Sequence, residues 1–207
     1  MEDLAEAVVL GREALNLRLQ GHPDRSESLA NPAVCLTTRF KQLGAMEDLE
    51  EAIVLDREAL GLRPQWHPDR SESLGNLAVD LFARYKQLGA MEDLDEAILL
   101  DREALSLRHQ WHPDRAASLN NLAVDLSTRY TQLGAMEDLD EAIVLDREAL
   151  DLRQQGHPLR SSSLNNLAIR AHVVTFSDTD GQPGLTISPC TRPPRSGPGN
   201  VQYNILI

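Results

Sequence analysis

At 207 residues, 42% hydrophobic but only 4% aromatic, the chain is long enough for one or two domains with a core of Leu, Ala, Val and Ile. Its net charge of −12 argues against nucleic-acid and anionic-membrane partners, since both select clustered Lys and Arg. Cys35 and Cys190 give neither a disulfide framework nor zinc spacing, the acidic N-terminus MEDLAEAVVL is no signal peptide, and no apolar run nears membrane-spanning length, so a cytoplasmic chain is expected.

The tetrapeptide MEDL starts at Met1, Met46, Met91 and Met136, a period of 45 residues, and His-Pro recurs in register at His22, His67, His112 and His157. A period of this size marks a stacked array. In chain order, an orphan helix at 2–18 shows Leu4, Ala7, Val8 and Leu15. Three hairpins follow, at about 23–63, 68–108 and 113–153, then a partial helix at 158–170.

Each hairpin combines two helical patterns. In PDRAASLNNLAVDLSTRYTQLG, Leu119, Leu122, Ala123, Leu126, Tyr130 and Leu133 form one stripe, closed by Gly134 as a C-terminal glycine. In MEDLDEAIVLDREALDLR, Leu139, Ala142, Ile143, Ala149 and Leu150 form the other, with acids at its start and Arg153 at its end to suit the helix dipole. Pro32 interrupts the first copy, and the sequence predicts a shortened helix starting there, with Asn31 as N-cap. Residues 171–207 hold five Pro and four Gly without helical period, so an irregular or disordered tail is expected, read either as a regulated tail or as out-of-frame or unspliced sequence in place of further repeats.

The stretch WHPDR, at Trp66–Arg70 and Trp111–Arg115, falls between hairpins. Its Pro suits the first turn of the next helix, Asp69 or Ser71 suits a cap, and Trp66 and Trp111 are expected to cover the joint between repeats. A residue set present four times is architecture rather than one active site. One His per repeat lacks the converging ligands that zinc needs. No Ser/His/Asp set, phosphate-cradling loop or Cys–His pair stands apart from the repeat, so no catalytic residue, cofactor or metal is assigned.

The pattern SLNNLAVDL…G…LDEAI…REAL resembles tetratricopeptide (TPR) repeats, closest to the long kinesin-light-chain type with HPD…LNNLA. Leu119, Leu122, Ala123 and Leu126 match that family's first helix, and Ala142 and Ala149 the small residues of its second. The HPD tripeptide also resembles the loop of J-domain co-chaperones, but an acidic helix precedes it here and the fourth copy carries Leu159 in place of Asp. The TPR resemblance implies an all-α solenoid of antiparallel helix hairpins, wound as a right-handed superhelix, over residues 1–170. The ordinary repeat has 34 residues; about seven extra residues around the intra-hairpin turn, close to two helical turns, would lengthen both helices. Repeats of 45 residues look like those of fungal TPR arrays that often carry a caspase-like CHAT domain, which this chain lacks.

Repeats two and three differ at 10 of 45 positions, six of them in the first helix. At about 100° per residue those six share one arc, the apolar stripe another. A third, polar arc (Ser73, Asn76, Asp80, Arg84 and Gln87) is unchanged as Ser118, Asn121, Asp125, Arg129 and Gln132. The unchanged arc is expected to touch the neighbouring helix. The variable arc is expected to face a ligand, in the concave groove where TPR proteins hold peptides. The candidate groove residues are Glu72, Gly75, Val79, Phe82, Ala83 and Lys86, with Ala117, Asn120, Val124, Ser127, Thr128 and Thr131 one repeat on; Lys41 is expected at the rim. The family's clamp for C-terminal carboxylates needs an Asn and a Lys where Gly75/Asn120 and Val79/Val124 stand.

The expected function is a protein-interaction scaffold holding a peptide or helical segment in that groove. One alternative is a truncated regulatory or sensor array from a larger CHAT-type protein. Another is a non-binding spacer or a fragment that self-associates through its uncapped N-terminal helix.

Overall fold

The computed structural model describes residues 2–179; Met1 and residues 180–207, including Cys190, lie outside it. Eight helices make up the described residues: α1 (Glu2–Leu17), α2 (Arg25–Leu43), α3 (Met46–Gly61), α4 (Arg70–Leu88), α5 (Met91–Leu107), α6 (Arg115–Leu133), α7 (Met136–Leu152) and α8 (Arg160–Thr179). The closest pairings are α2 with α3, α4 with α5, and α6 with α7; each hairpin then stacks on the next through α3–α4, α5–α6 and α7–α8. The architecture is an all-α TPR-like solenoid.

Only Gly and Ala separate the two helices of each hairpin. Gly44, Gly89 and Gly134 take the left-handed conformation at φ of 72°, 74° and 71°, their N–H groups donating to the carbonyls of Phe40, Tyr85 and Tyr130 at 2.7 Å. With so tight a turn, the extra length of the repeat goes into helix. An ion pair closes each turn: Arg39 grips Asp48, Arg84 grips Asp93 and Arg129 grips Asp138 through two bonds of 2.5–2.8 Å. The acids also sit in the first turn of the second helix, where negative charge is favoured.

The core follows the predicted stripes. Leu119, Leu122, Ala123 and Leu126 of α6 are sealed against Leu94 and Ile98 of α5 and Ala142 and Ala149 of α7. Full burial of each Leu contributes about 1.5–3 kcal/mol before entropy. Leu133 departs from the prediction: it, Leu43 and Leu88 are exposed, because the helix ends there and the chain turns away.

The loops between hairpins are held by arginines. Arg63 donates to the Asp69 carbonyl at 3.1 Å and to Ser73 Oγ at 2.7 Å, while Arg70 donates back to the Arg63 carbonyl at 2.6 Å and on to Glu103 at 2.9 Å. The same lattice recurs one repeat on, with Arg108 on Ser118 and Arg115 on the Arg108 carbonyl and Glu148. His67 Nδ1 accepts the Asp69 backbone N–H at 3.1 Å. The fourth copy keeps this bond from the Leu159 N–H to His157, also at 3.1 Å, so the turn does not need the aspartate side chain.

Four expectations are corrected here. Asp69 occupies the N-cap position but makes no side-chain cap; its carboxylate stands 3.9 Å from Arg63 instead. Trp66 and Trp111 do not cover the joint. They are 84% and 78% exposed, since the arginine lattice already fills it. Helix α2 is not shortened at Pro32 but runs through it from Arg25. Gly11 of α1, where later copies carry Asp56, Asp101 and Asp146, makes room for the ring: a Cβ there would lie 3.1 Å from Pro32 Cβ. Helix α8 ends at Thr179 rather than at 170, because residues 171–179 contain neither Pro nor Gly to stop it.

Candidate functional site

Stacking brings the first helices of successive hairpins, α4, α6 and α8, side by side. Between them lies a groove of ≈ 460 Å³. Helix α4 contributes Ala78, Val79, Phe82 and Lys86, and α6 contributes Ala117, Asn120, Asn121, Val124, Asp125 and Thr128. Leu159 and, on α8, Ser162, Asn165, Asn166 and Ile169 complete the far wall. Asp101 of α5 and Arg153, just after α7, reach it from the second layer of helices. The surface alternates apolar and amide groups, which suits a chain with its own side chains and peptide groups rather than a single small reactant.

Seven of the twelve predicted residues line this groove: Val79, Phe82, Lys86, Ala117, Asn120, Val124 and Thr128. Glu72, Gly75, Ala83, Ser127 and Thr131 do not, nor does Lys41. Ala83 packs instead against the core around Leu77 and Leu81. Phe82 does both, since it also packs against the two adjoining core clusters, its ring centroid 6.1 Å from that of Tyr85. Asn120 Oδ1 accepts a bond from Asn166 Nδ2 at 3.0 Å, tying α6 to α8 across the groove.

The unchanged arc touches its neighbours at three positions. Ser73 takes the Arg63 bond, Arg84 holds Asp93, and the buried Asp80 accepts Thr37 Oγ1 of α2 at 2.9 Å on both oxygens. Gln87 does not follow; it is exposed.

Sequence reasoning missed the groove's α8 wall and its charged floor. Asn165 and Asn166 stand one period after Asn120 and Asn121, a register that points to them once the partial helix is counted as a wall. Asp101 and Asp125 are 2% and 3% exposed. Burial pushes the Asp101 carboxyl up to about 8, against the opposing charge of Arg108. Burial raises Asp125 well above the usual range too, and the nearby Asp101 adds to it. Burial lowers Arg153, with Asp146 opposing; its guanidinium donates to Ser163 Oγ and, at 3.2 Å, to the Ala116 carbonyl. The described residues contain no cluster of three or more metal-ligating side chains and no helix long and apolar enough to cross a membrane.

Residues 71–111 match the family model of the tetratricopeptide repeat. Among solved structures, a kinesin-light-chain-type protein of Podosopora anserina with nearly identical TPR-like repeats aligns at 22% identity and a TM-score of 0.61, over 84% of this chain and 81% of that one. BtubC (BKLC) from P. vanneervenii aligns at 20% identity and a TM-score of 0.63, over 97% of this chain and 81% of its own. No curated protein matches. The chain thus carries a tetratricopeptide repeat and shares the fold of kinesin-light-chain-like repeat arrays.

Proposed function

We propose that this tetratricopeptide-type array is a protein-interaction scaffold that holds an extended peptide or short helix in the groove between α4, α6 and α8, and that it performs no chemistry of its own. The observation that carries the reading is the groove's lining. Two nearly duplicate repeats differ in their first helices at residues that include Phe82, Lys86, Ala117, Asn120 and Thr128, all at its surface. Rigid hairpins present these side chains in a fixed frame, so many weak contacts add along the array without ordering the receptor.

The test compares the full chain with a Phe82→Ala/Asn120→Ala/Lys86→Ala variant of equal helicity in affinity capture. Partners held by the wild type and lost by the variant, each traced to a segment that binds in isolation, are the expected outcome. Identical partner sets, or none, would sink the groove reading. Self-association through α1 is a second reading, favoured by the exposure of Val9, Leu10 and Leu17 on that helix. It predicts a mass in light scattering that rises with concentration.

A further inference from the structure

Along the array, one position of each second helix faces one position of the next first helix. The pairs are Asp56 with Asp80, Asp101 with Asp125, and Asp146 with Arg170. Each layer treats its buried acid differently. In the first, Asp80 accepts hydrogen bonds from Thr37 on the preceding first helix. In the last, Arg170 forms a buried ion pair with Asp146. In the middle layer the residue equivalent to Thr37 is Phe82, which has no proton to donate, and the residue equivalent to Arg170 is Asp125 itself. Among the described residues no hydrogen bond or ion pair reaches either carboxyl, yet both line the groove.

We propose that Asp101 and Asp125 form a socket at the groove floor for one basic side chain, an arginine, of a bound peptide. The inference rests on the peptide-binding reading of the groove and names the chemistry of its ligand. Arg170 shows within the same chain what a guanidinium does at this layer: it lies against the second-helix aspartate, buried and bonded. A ligand arginine entering past Phe82 and Val124 meets two buried carboxyl groups that accept its N–H bonds as they give up their protons. Of the other charges around the pair, Arg108 offsets Asp101 through space while its hydrogen bonds go elsewhere. Arg108, just after α5, bonds to Ser118 Oγ and the Ser71 carbonyl, Arg153 to Ser163 Oγ and the Ala116 carbonyl, and Lys86 of α4 is exposed. Glu72 of α4 acts on Arg108 rather than on the pair. The net charge of −12 favours approach of a basic segment. Seating the guanidinium ionises the floor, so binding releases protons and tightens as pH rises.

The experiment probes the full chain on an array of random dodecapeptides at pH 8, then resynthesises each arginine-containing hit with citrulline, its neutral isostere. The wild type is expected to bind the arginine peptide at least about tenfold more tightly. An Asp101→Asn/Asp125→Asn variant, or Asp101→Asn alone if the double variant loses helicity, is expected not to discriminate. A Glu47→Gln/Glu92→Gln variant, which removes two acids at exposed sites, is expected to discriminate like wild type; its failure to do so means bulk attraction and overturns the socket. Hits that need Phe82 but bind arginine and citrulline equally overturn the socket and leave the groove reading standing. Absence of any hit above the level of the Phe82→Ala/Asn120→Ala/Lys86→Ala variant overturns both.

Discussion

Replacing Asp56 with Asn should stabilise the array at neutral and alkaline pH. Asp56 is buried on α3, its Oδ1 has no hydrogen-bond partner, and Asp80 of α4 faces it. Burial, reinforced by Asp80 and Glu72 and opposed by Arg63, pushes Asp56 up from 3.8 to about 8. Asp80 rises to about 7, again through burial, against the Thr37 hydrogen bond and Lys41. The folded chain therefore holds protons that the unfolded chain releases. That favourable term is complete below the ordinary carboxylate range and is lost as pH rises toward the folded value. At about 1.4 kcal/mol per unit the Asp56 shift sets a ceiling of roughly 6 kcal/mol, of which about 3 kcal/mol falls between pH 5 and 7. Arg39 acts oppositely on Asp48, holding it below the usual range, so that pair fails only at more acid pH, outside this window. Asn keeps the shape and removes the proton requirement. Urea unfolding followed by circular dichroism at pH 5, 7 and 9 should show the wild-type midpoint falling with pH, and a flatter line for Asp56→Asn that lies above it at pH 9. Parallel lines would refute a buried acid pair held by protons.

Arg170→Met leaves Asp146 buried without its partner and should cost about 3–5 kcal/mol; adding Asp146→Leu should recover much of that, read from the same urea midpoints. Gly11→Ala brings a Cβ to 3.1 Å from Pro32 and should cost about 1–3 kcal/mol, a loss that Pro32→Ala should largely relieve in a double-mutant cycle of thermal melts. Ser118→Ala removes an acceptor from the buried Arg108 guanidinium and should cost about 1–3 kcal/mol in chemical denaturation, whereas Leu159→Asp should leave stability within about 0.5 kcal/mol because the His157 turn uses only the backbone N–H.

Much of the fold is legible in the sequence because the period is strict and helices are local. The stripe Leu119–Leu126, the glycine at Gly134 and the small residues Ala142 and Ala149 specify a helix, its end and a close-packed partner with nothing from far along the chain. The candidate site was legible in part. Comparing two near-duplicate repeats marks one arc of α4 and α6, and five of its residues, Phe82, Lys86, Ala117, Asn120 and Thr128, meet at the groove. The α8 wall is not legible, since the pattern after His157 reads as a partial helix and not as a full neighbour of α6. The tryptophans misled: large aromatic residues in a loop suggest a cover, but the arginine bonds around Arg63 and Arg70 had already filled the joint.

What the sequence by itself determines is the array: helix, turn, helix, repeated, with an apolar stripe on every copy. What only the tertiary structure decides is the state of a residue whose local setting is the same in each copy. Asp56, Asp101 and Asp146 occupy equivalent positions in nearly identical helices. One faces an acid held by Thr37, one faces an open groove, and one is paired with Arg170, 24 residues on. Backbone conformation is set by near neighbours, but the charge of a buried carboxyl is set by whatever donor the next hairpin brings within reach.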